Sequence, residues 1–248
     1  MGNNETNGPI YKWEAKVNTY DADKQKRMTL SAILRYQQEA GELQLAEVGG
    51  TYETLYKDGI IFIITTLGVK INRYPKLNEK ITIRTWHMGN KGIRFTRCYE
   101  ILSKDGEILT EGKSVFVIID PVTHKIQKPK SFEKYSLEPN REDITLVEEK
   151  FKMPEDMELY GKKSMIYSDI DYNGHLNNTK YADIINDYMP ITEDDYDRDL
   201  PDIKEFHIKY IHEAKMNQKM DIYIKKETDK IYYKGITDKE SFNIIVKL

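Results

Sequence analysis

The chain has 248 residues, with 38 Lys and Arg against 41 Asp and Glu, a formal net charge of −3 at pH 7 and a mean hydropathy of −0.67. That length allows one large domain or two small ones with ample core, and no apolar run approaches the roughly 20 residues of a membrane-spanning helix. The balance of charge argues against a nucleic-acid binder with a large basic face, and a single cysteine, Cys98, excludes an internal disulfide framework and a Cys-based zinc site.

Residues 13–20 alternate apolar and polar and predict a half-buried strand. Ser31 is placed to cap a helix through Ala32, Ile33, Leu34, Tyr36, Ala40, Leu43 and Leu45, which ends at Gly49 and Gly50. Its apolar positions span a wide arc, so the helix should be largely enclosed. Four strands follow, over 60–72, 80–88, 93–102 and 108–120. Along the third, Phe95, Arg97 and Tyr99 share one face, and Arg94, Thr96 and Cys98 share the other. Short turns at 89–92 and 104–106 imply antiparallel pairing. Cys98, in mid-strand, reads as a small core residue. His87 and His124 lack the second-ligand spacing of a metal site.

Asp120-Pro121 opens a less regular, charged stretch that continues to about Pro154. The expected organisation is a first unit over 1–125, a connector over 126–160 and a second unit over 161–248. The second unit repeats the first in outline: a strand at 162–167, a helix at 178–188, then strands at 203–213, 219–226, 230–235 and 241–246. Equal element order in two halves suggests duplication of a sheet that wraps a helix.

The stretch from Tyr167 to Tyr181 packs Asp169, Asp171, Asn173, His175, Asn177 and Asn178 into one short run. Asp and Asn bond their own backbone and tolerate left-handed φ, so 169–176 reads as a tight irregular loop. Asn177 or Asn178 then offers a cap for the helix that Pro190 stops. The N–H groups at a helix N-terminus favour negative charge, so a forming oxyanion fits there. A His, an amide and a carboxylate arriving together are the parts of a general acid/base site. Asx-rich loops ahead of helices commonly serve only as caps, so the loop alone leaves both readings open.

The run Asp-Ile-Asp-Tyr-Asn-Gly-His-Leu-Asn-Asn-Thr-Lys-Tyr, residues 169–181, resembles the signature of fatty acyl–acyl-carrier-protein thioesterases, with Leu176 in place of the usual Val. Arg73-Tyr-Pro75, the run Lys80–Trp86, Gly92–Arg97, Gly112–Pro121 and Gln127-Lys-Pro129 also resemble that family. The resemblance runs from about Tyr11 to the C-terminus. It implies an α+β tandem (double) hot-dog fold, with two antiparallel sheets each wrapping a central helix. A start without plastid-type extension, signal-peptide or transit-peptide character fits a bacterial, cytoplasmic member.

The resemblance implies catalytic roles for Asp171, Asn173, His175 and Glu213. Ala214 stands where plant members often carry Cys, so no thiol nucleophile is available at that position, and Cys98 lies in the wrong half to supply one. Water is the expected attacking group, with Glu213 or His175 as its base, and Asn173 and an amide near Asn177 as oxyanion donors. No cofactor and no metal is required. Leu34, Ala40, Ile61, Ile63, Thr65 and Asn177 are candidates to contact the acyl chain. The implied substrate and partner is acyl-carrier protein with its acyl-phosphopantetheine arm, and Lys162, Lys163 and Lys180 are candidates to steer it. No nucleic acid or membrane span is expected, and a homodimer is compatible with the sequence. An acyl-CoA thioesterase, a hot-dog hydratase or dehydratase, and a non-catalytic acyl-binding module are the competing readings.

Overall fold

The computed structural model describes residues 8–135, 137–191 and 199–248. In the first half, β1 (Tyr11–Lys16) precedes the helix α1 (Leu30–Glu47) and a short α2 (Tyr52–Lys57). The strands β2 (Ile61–Ile71), β3 (Lys80–Lys91), β4 (Arg94–Ser103) and β5 (Ile108–Ile119) follow. The second half holds β6 (Glu158–Ser164), α3 (Lys180–Asp187), β7 (Glu205–Tyr210), β8 (Lys219–Lys226), β9 (Lys230–Ile236) and β10 (Glu240–Lys247).

Among the described residues these strands form one ten-stranded antiparallel sheet, in the order β1-β3-β4-β5-β2-β7-β10-β9-β8-β6. The expectation of two sheets is therefore corrected. Read outward from the centre, the halves carry the same topology: β2 matches β7, β5 matches β10, and so on to β1 and β6. Each half-sheet alone would leave one edge of its inner strand unpaired, with a row of free N–H and C=O groups. The two inner edges satisfy one another instead, β2 pairing antiparallel with β7 from Thr66↔Lys209 to Lys70↔Glu205.

The long helix is capped two residues before the expected position. Thr29, not Ser31, is the N-cap, and its hydroxyl accepts the Ala32 N–H at 3.1 Å, while Ser31 is buried inside the helix. It ends where Gly49 takes φ +77°, a left-handed conformation that costs glycine little, and the Gly50 N–H closes back onto the Leu45 carbonyl. Leu30, Ile33, Leu34 and Ala40 of α1 belong to one buried apolar cluster with Ile184 and Ile185 of α3, Phe206 of β7 and Phe242 of β10. The two helices touch each other, so the core is continuous across the halves. Each fully buried large apolar side chain contributes about 1.5–3 kcal/mol. A second, aromatic cluster joins Leu45, Leu55, Phe95, Ile118, Phe132 and Tyr135.

The connector is threaded along the first half-sheet. The Trp86 indole donates to the Glu142 carbonyl at 2.7 Å, the Thr145 N–H donates to the buried Glu111 carboxylate at 2.8 Å, and Lys113 pairs with Asp143 at 2.7 Å. These side-chain contacts give an irregular segment the partners that a ladder would otherwise provide.

Candidate active site

The Asx-rich loop is a knot of local hydrogen bonds. Asp171 Oδ1 accepts the N–H of Asn173 at 2.8 Å and that of His175 at 3.4 Å. The Asp171 N–H donates to the His175 carbonyl at 2.9 Å, and Gly174 makes the turn with φ +81°. Asp169, buried behind the loop, accepts the Ile166 N–H at 3.3 Å and holds the Lys163 ammonium at 3.4 Å. Asp169 thus acts as a loop brace, and Asp171 as the group that orients its neighbours.

The loop is also tied to the segment after β7. The Leu176 N–H donates to the Ala214 carbonyl at 2.8 Å. That bond brings His175 beside Glu213, and His175 Nε2 stands 2.9 Å from Glu213 Oε2. Glu213 lies beyond the end of β7 rather than within it, because the strand stops at Tyr210. Two residues 38 positions apart in number, His175 and Glu213, therefore form a carboxylate–imidazole couple. With the proton on Nε2, the ring donates to the carboxylate and leaves the Nδ1 lone pair as a base.

Asn173 is held from the other half. Tyr52, the first residue of α2, donates its hydroxyl to Asn173 Oδ1 at 3.0 Å, and its ring meets Tyr172 edge-on at 4.9 Å between centroids. With Oδ1 occupied, the Asn173 Nδ2 group is the part of the amide left to donate.

At the start of α3 the amides are largely committed. The Asn177 N–H donates to the Asp169 carbonyl at 2.9 Å, the Thr179 N–H to Asn177 Oδ1 at 2.9 Å, and the Lys180 N–H to the Asn177 carbonyl at 2.9 Å. Among the described residues the Asn178 N–H has no acceptor. The cap residue of α3 is Thr179, without a side-chain cap bond, rather than the expected Asn177 or Asn178. Asn177 Oδ1 accepts the Thr179 N–H and hydroxyl, and of the amides near Asn177 that of Asn178 is the one left to donate. The carbonyl of Asn178 is fixed by the Tyr210 hydroxyl at 2.9 Å.

A cavity of about 180 Å³ opens from this loop into the first half. Asp171, Asn173, Asn177 and Asn178 line one end, and Leu34, Leu45, Phe62, Ile64 and Phe95 line the apolar part. Of the expected chain-contacting residues, Leu34 and Asn177 line it. Ala40, Ile61, Ile63 and Thr65 do not. Strand alternation explains the error: the inward face of β2 carries Phe62 and Ile64, so Ile61 and Ile63 point the other way. Thr65 falls at a register shift between Ile64 and Thr66, and its hydroxyl donates to the Val115 carbonyl at 3.0 Å. Ala40 is sealed in the core.

Other expectations resolve locally. Lys162, Lys163 and Lys180 each pair with a carboxylate, those of Asp221, Asp169 and Asp183, so their charge is already matched. Cys98 is fully buried, and burial pushes its thiol up to about 12, which removes it as a nucleophile. Glu149, Glu205 and His207 gather in one place, but the Lys247 ammonium already pairs with both carboxylates. Tyr52, Phe62 and Ile64 escaped the sequence reading. The Phe95, Arg97, Tyr99 alternation, a mixed face on a core strand, was the signal available for the cavity.

Two family models match the chain: the acyl-ACP thioesterase N-terminal domain over residues 8–131 and the acyl-ACP thioesterase C-terminal domain over residues 156–244. Among curated relatives, the chloroplastic acyl-[acyl-carrier-protein] hydrolase of Cuphea viscosissima is 25% identical over 206 residues, covering 77% of this chain and 50% of the relative. The chloroplastic dodecanoyl-[acyl-carrier-protein] hydrolase of Cinnamomum camphora is 25% identical over 230 residues, covering 85% of this chain and 58% of the relative. The chain thus spans about half the length of the curated relatives it matches. The solved acyl-ACP thioesterase of Bacteroides thetaiotaomicron shares the fold, with a TM-score of 0.82 at 20% identity over 96% of this chain and 97% of that one. So does the 12:0-ACP thioesterase of Umbellularia californica, with a TM-score of 0.81 at 16% identity over 96% of each chain. The fold is of the hot-dog type. With both domains of the family matched in order along its length, the chain belongs to the acyl-ACP thioesterase family.

Proposed function

We propose that the protein hydrolyses fatty acyl–acyl-carrier-protein thioesters to free fatty acid and carrier protein. The observation that carries this reading is the contact at 2.9 Å between Glu213, beyond β7, and His175, in the loop that presents Asn173 to an apolar cavity. In this reading the unit over 1–125 supplies most of the acyl cavity. The unit over 161–248 supplies the chemistry, and 126–160 connects them.

Water attacks the thioester carbon as the His175–Glu213 couple takes its proton. The two groups bond directly, so they handle the proton together. Charge then builds on the carbonyl oxygen. The Asn173 Nδ2 group and the free Asn178 N–H, both at the cavity, are the donors aimed at it. Fixed donors of this kind are worth about 3 kcal/mol each in other enzymes. Collapse of the tetrahedral species breaks the carbon–sulfur bond, and the couple returns the proton to the departing thiolate. Asp171 keeps the Asn173 and His175 backbones in register for this sequence. A thioester carbonyl is electrophilic enough for attack by water so activated.

The test is thiol release from acyl-carrier protein and from acyl-CoA carrying the same chain, measured side by side. Faster release from the carrier protein is expected. Release from acyl-CoA alone would move the reading to an acyl-CoA thioesterase. Formation of an enoyl product from a β-hydroxyacyl thioester, without thiol release, would move it to a dehydratase.

A further inference from the structure

The acyl cavity is not apolar throughout. One cross-strand row within it runs His87, Arg97, Ser114 and Leu67, set by the pairings His87↔Arg97, Arg97↔Ser114 and Leu67↔Ser114. All four line the cavity. The next row, Phe95↔Phe116 with Ile64 beyond, is apolar.

The hydrogen bonds of Arg97 go to neutral partners. Its Nη1 donates to Gln44 Oε1 at 2.5 Å and to Thr85 Oγ1 at 3.2 Å, and among the described residues no carboxylate makes an ion pair with it. Glu42 lines the same cavity and makes no ion pair with Arg97, though the two charges act on each other. Gln37, from α1, lines the same cavity and is 3% exposed, yet among the described residues its Nε2 has no hydrogen-bond partner. The amide lies flat on Gly112, where any Cβ would come within 2.5 Å of that nitrogen. A buried donor without an acceptor is rare and costly, and an apolar chain alone would leave the Gln37 Nε2 so, beside an Arg97 charge with no ion pair among the described residues. Sites that keep such donors pointed into a cavity use them on a ligand.

We propose that the cavity takes an acyl chain bearing an acceptor oxygen, a hydroxyl, oxo or carboxylate group, which lies against Arg97 and the Gln37 amide. The thioester end stays at Asn173, so this rests on the thioesterase reading and adds a substrate class to it. An unsubstituted chain that reaches the row loses hydration there and gains no bond in return.

The experiment is a panel of acyl-carrier proteins of matched length, plain or substituted with hydroxyl, oxo or terminal carboxyl at successive carbons. It is run on wild type, Gln37→Leu and Arg97→Met, with thermal melts to establish folding. At least one substituted chain should exceed its plain counterpart in kcat/KM by about tenfold or more. That ratio should fall toward one in the variants. A carboxylate ligand would be lost mainly with Arg97→Met, and a neutral oxygen about equally with Gln37→Leu. Plain chains used as well as every substituted one, or a ratio unchanged in both variants, would overturn the proposal. If no chain is released from any carrier protein, the thioesterase reading itself fails. Titration calorimetry with the free plain and substituted acids then decides the cavity on its own: equal affinities would overturn the inference, and a preference removed by Gln37→Leu would uphold it.

Discussion

Tyr52 and Asn173, 121 positions apart in the chain, are joined by a 3.0 Å hydrogen bond from the tyrosine hydroxyl to the amide oxygen. The bond couples the two halves at the site. It occupies the Asn173 amide oxygen and so fixes the direction of the Nδ2 group. Tyr52→Phe keeps the ring contact with Tyr172 and removes the hydroxyl alone. It should lower kcat by about three- to tenfold, with KM little changed, because the donor is needed mainly once charge has formed. A raised KM with unaltered kcat would place Tyr52 in ground-state binding instead.

The inward parity of β2 gives a second prediction. Phe62 lines the cavity and packs edge-on against Phe95, Phe116 and Phe132, whereas Ile63 faces the other side of the sheet. Phe62→Ala should deepen the slot and raise kcat/KM for longer chains relative to shorter ones by about tenfold. Ile63→Ala should leave the chain-length profile where it is. A profile moved by Ile63→Ala and not by Phe62→Ala would reverse the assignment of faces.

His87 makes stability depend on pH. Burial first, then the Arg97 charge beside it, lowers its pKa from the usual 6.5 to about 4. The unfolded chain therefore binds this proton before the folded one does. Stability contributed by the neutral ring is complete above about pH 6.5 and is lost as pH falls toward 4. His87→Asn removes the titration, so denaturant midpoints of wild type should fall more steeply than those of the variant across that window. Parallel slopes would contradict it.

Gly235 on β9 sits where a Cβ would come within 2.1 Å of the Phe242 ring and 2.8 Å of Met220 Sδ. Both neighbours are fully buried, so either must repack to admit the methyl. Gly235→Ala should cost about 1–3 kcal/mol, read as a lower urea midpoint. An unchanged midpoint would show that the core yields there.

Much of this was legible in the sequence, for identifiable reasons. Alternation and turn residues marked the strands to within a few residues, and Gly49 marked the end of α1, because those signals act through local backbone geometry. The short α2 was missed because its six residues make little more than one turn and its N-cap, Thr51, bonds within that turn. The single sheet was missed because β2 and β7 meet across more than 130 positions of chain, and edge pairing leaves no local signature. The parity of β2 failed because a β-branched run is apolar on both faces. Among the site residues, Asp171, Asn173 and His175 arrive in one loop and could be read together. Glu213 had no local reason to be singled out until the resemblance pointed to it, since its partner His175 lies in another segment. Arg97 was visible on a mixed strand face, but only the register reveals that His87 and Ser114 extend it into a row.

The central claim is that His175 and Glu213 act as one proton-handling couple on a carrier-protein thioester. Single-turnover thiol release from acyl-carrier protein by wild type, His175→Ala, Glu213→Gln and the double variant tests it most directly. Each single change should cost about 10²- to 10⁴-fold, and the double variant should be no slower than the worse single, because the second removal finds the couple already broken. A single variant with wild-type release, or losses that multiply in the double variant, would contradict the account.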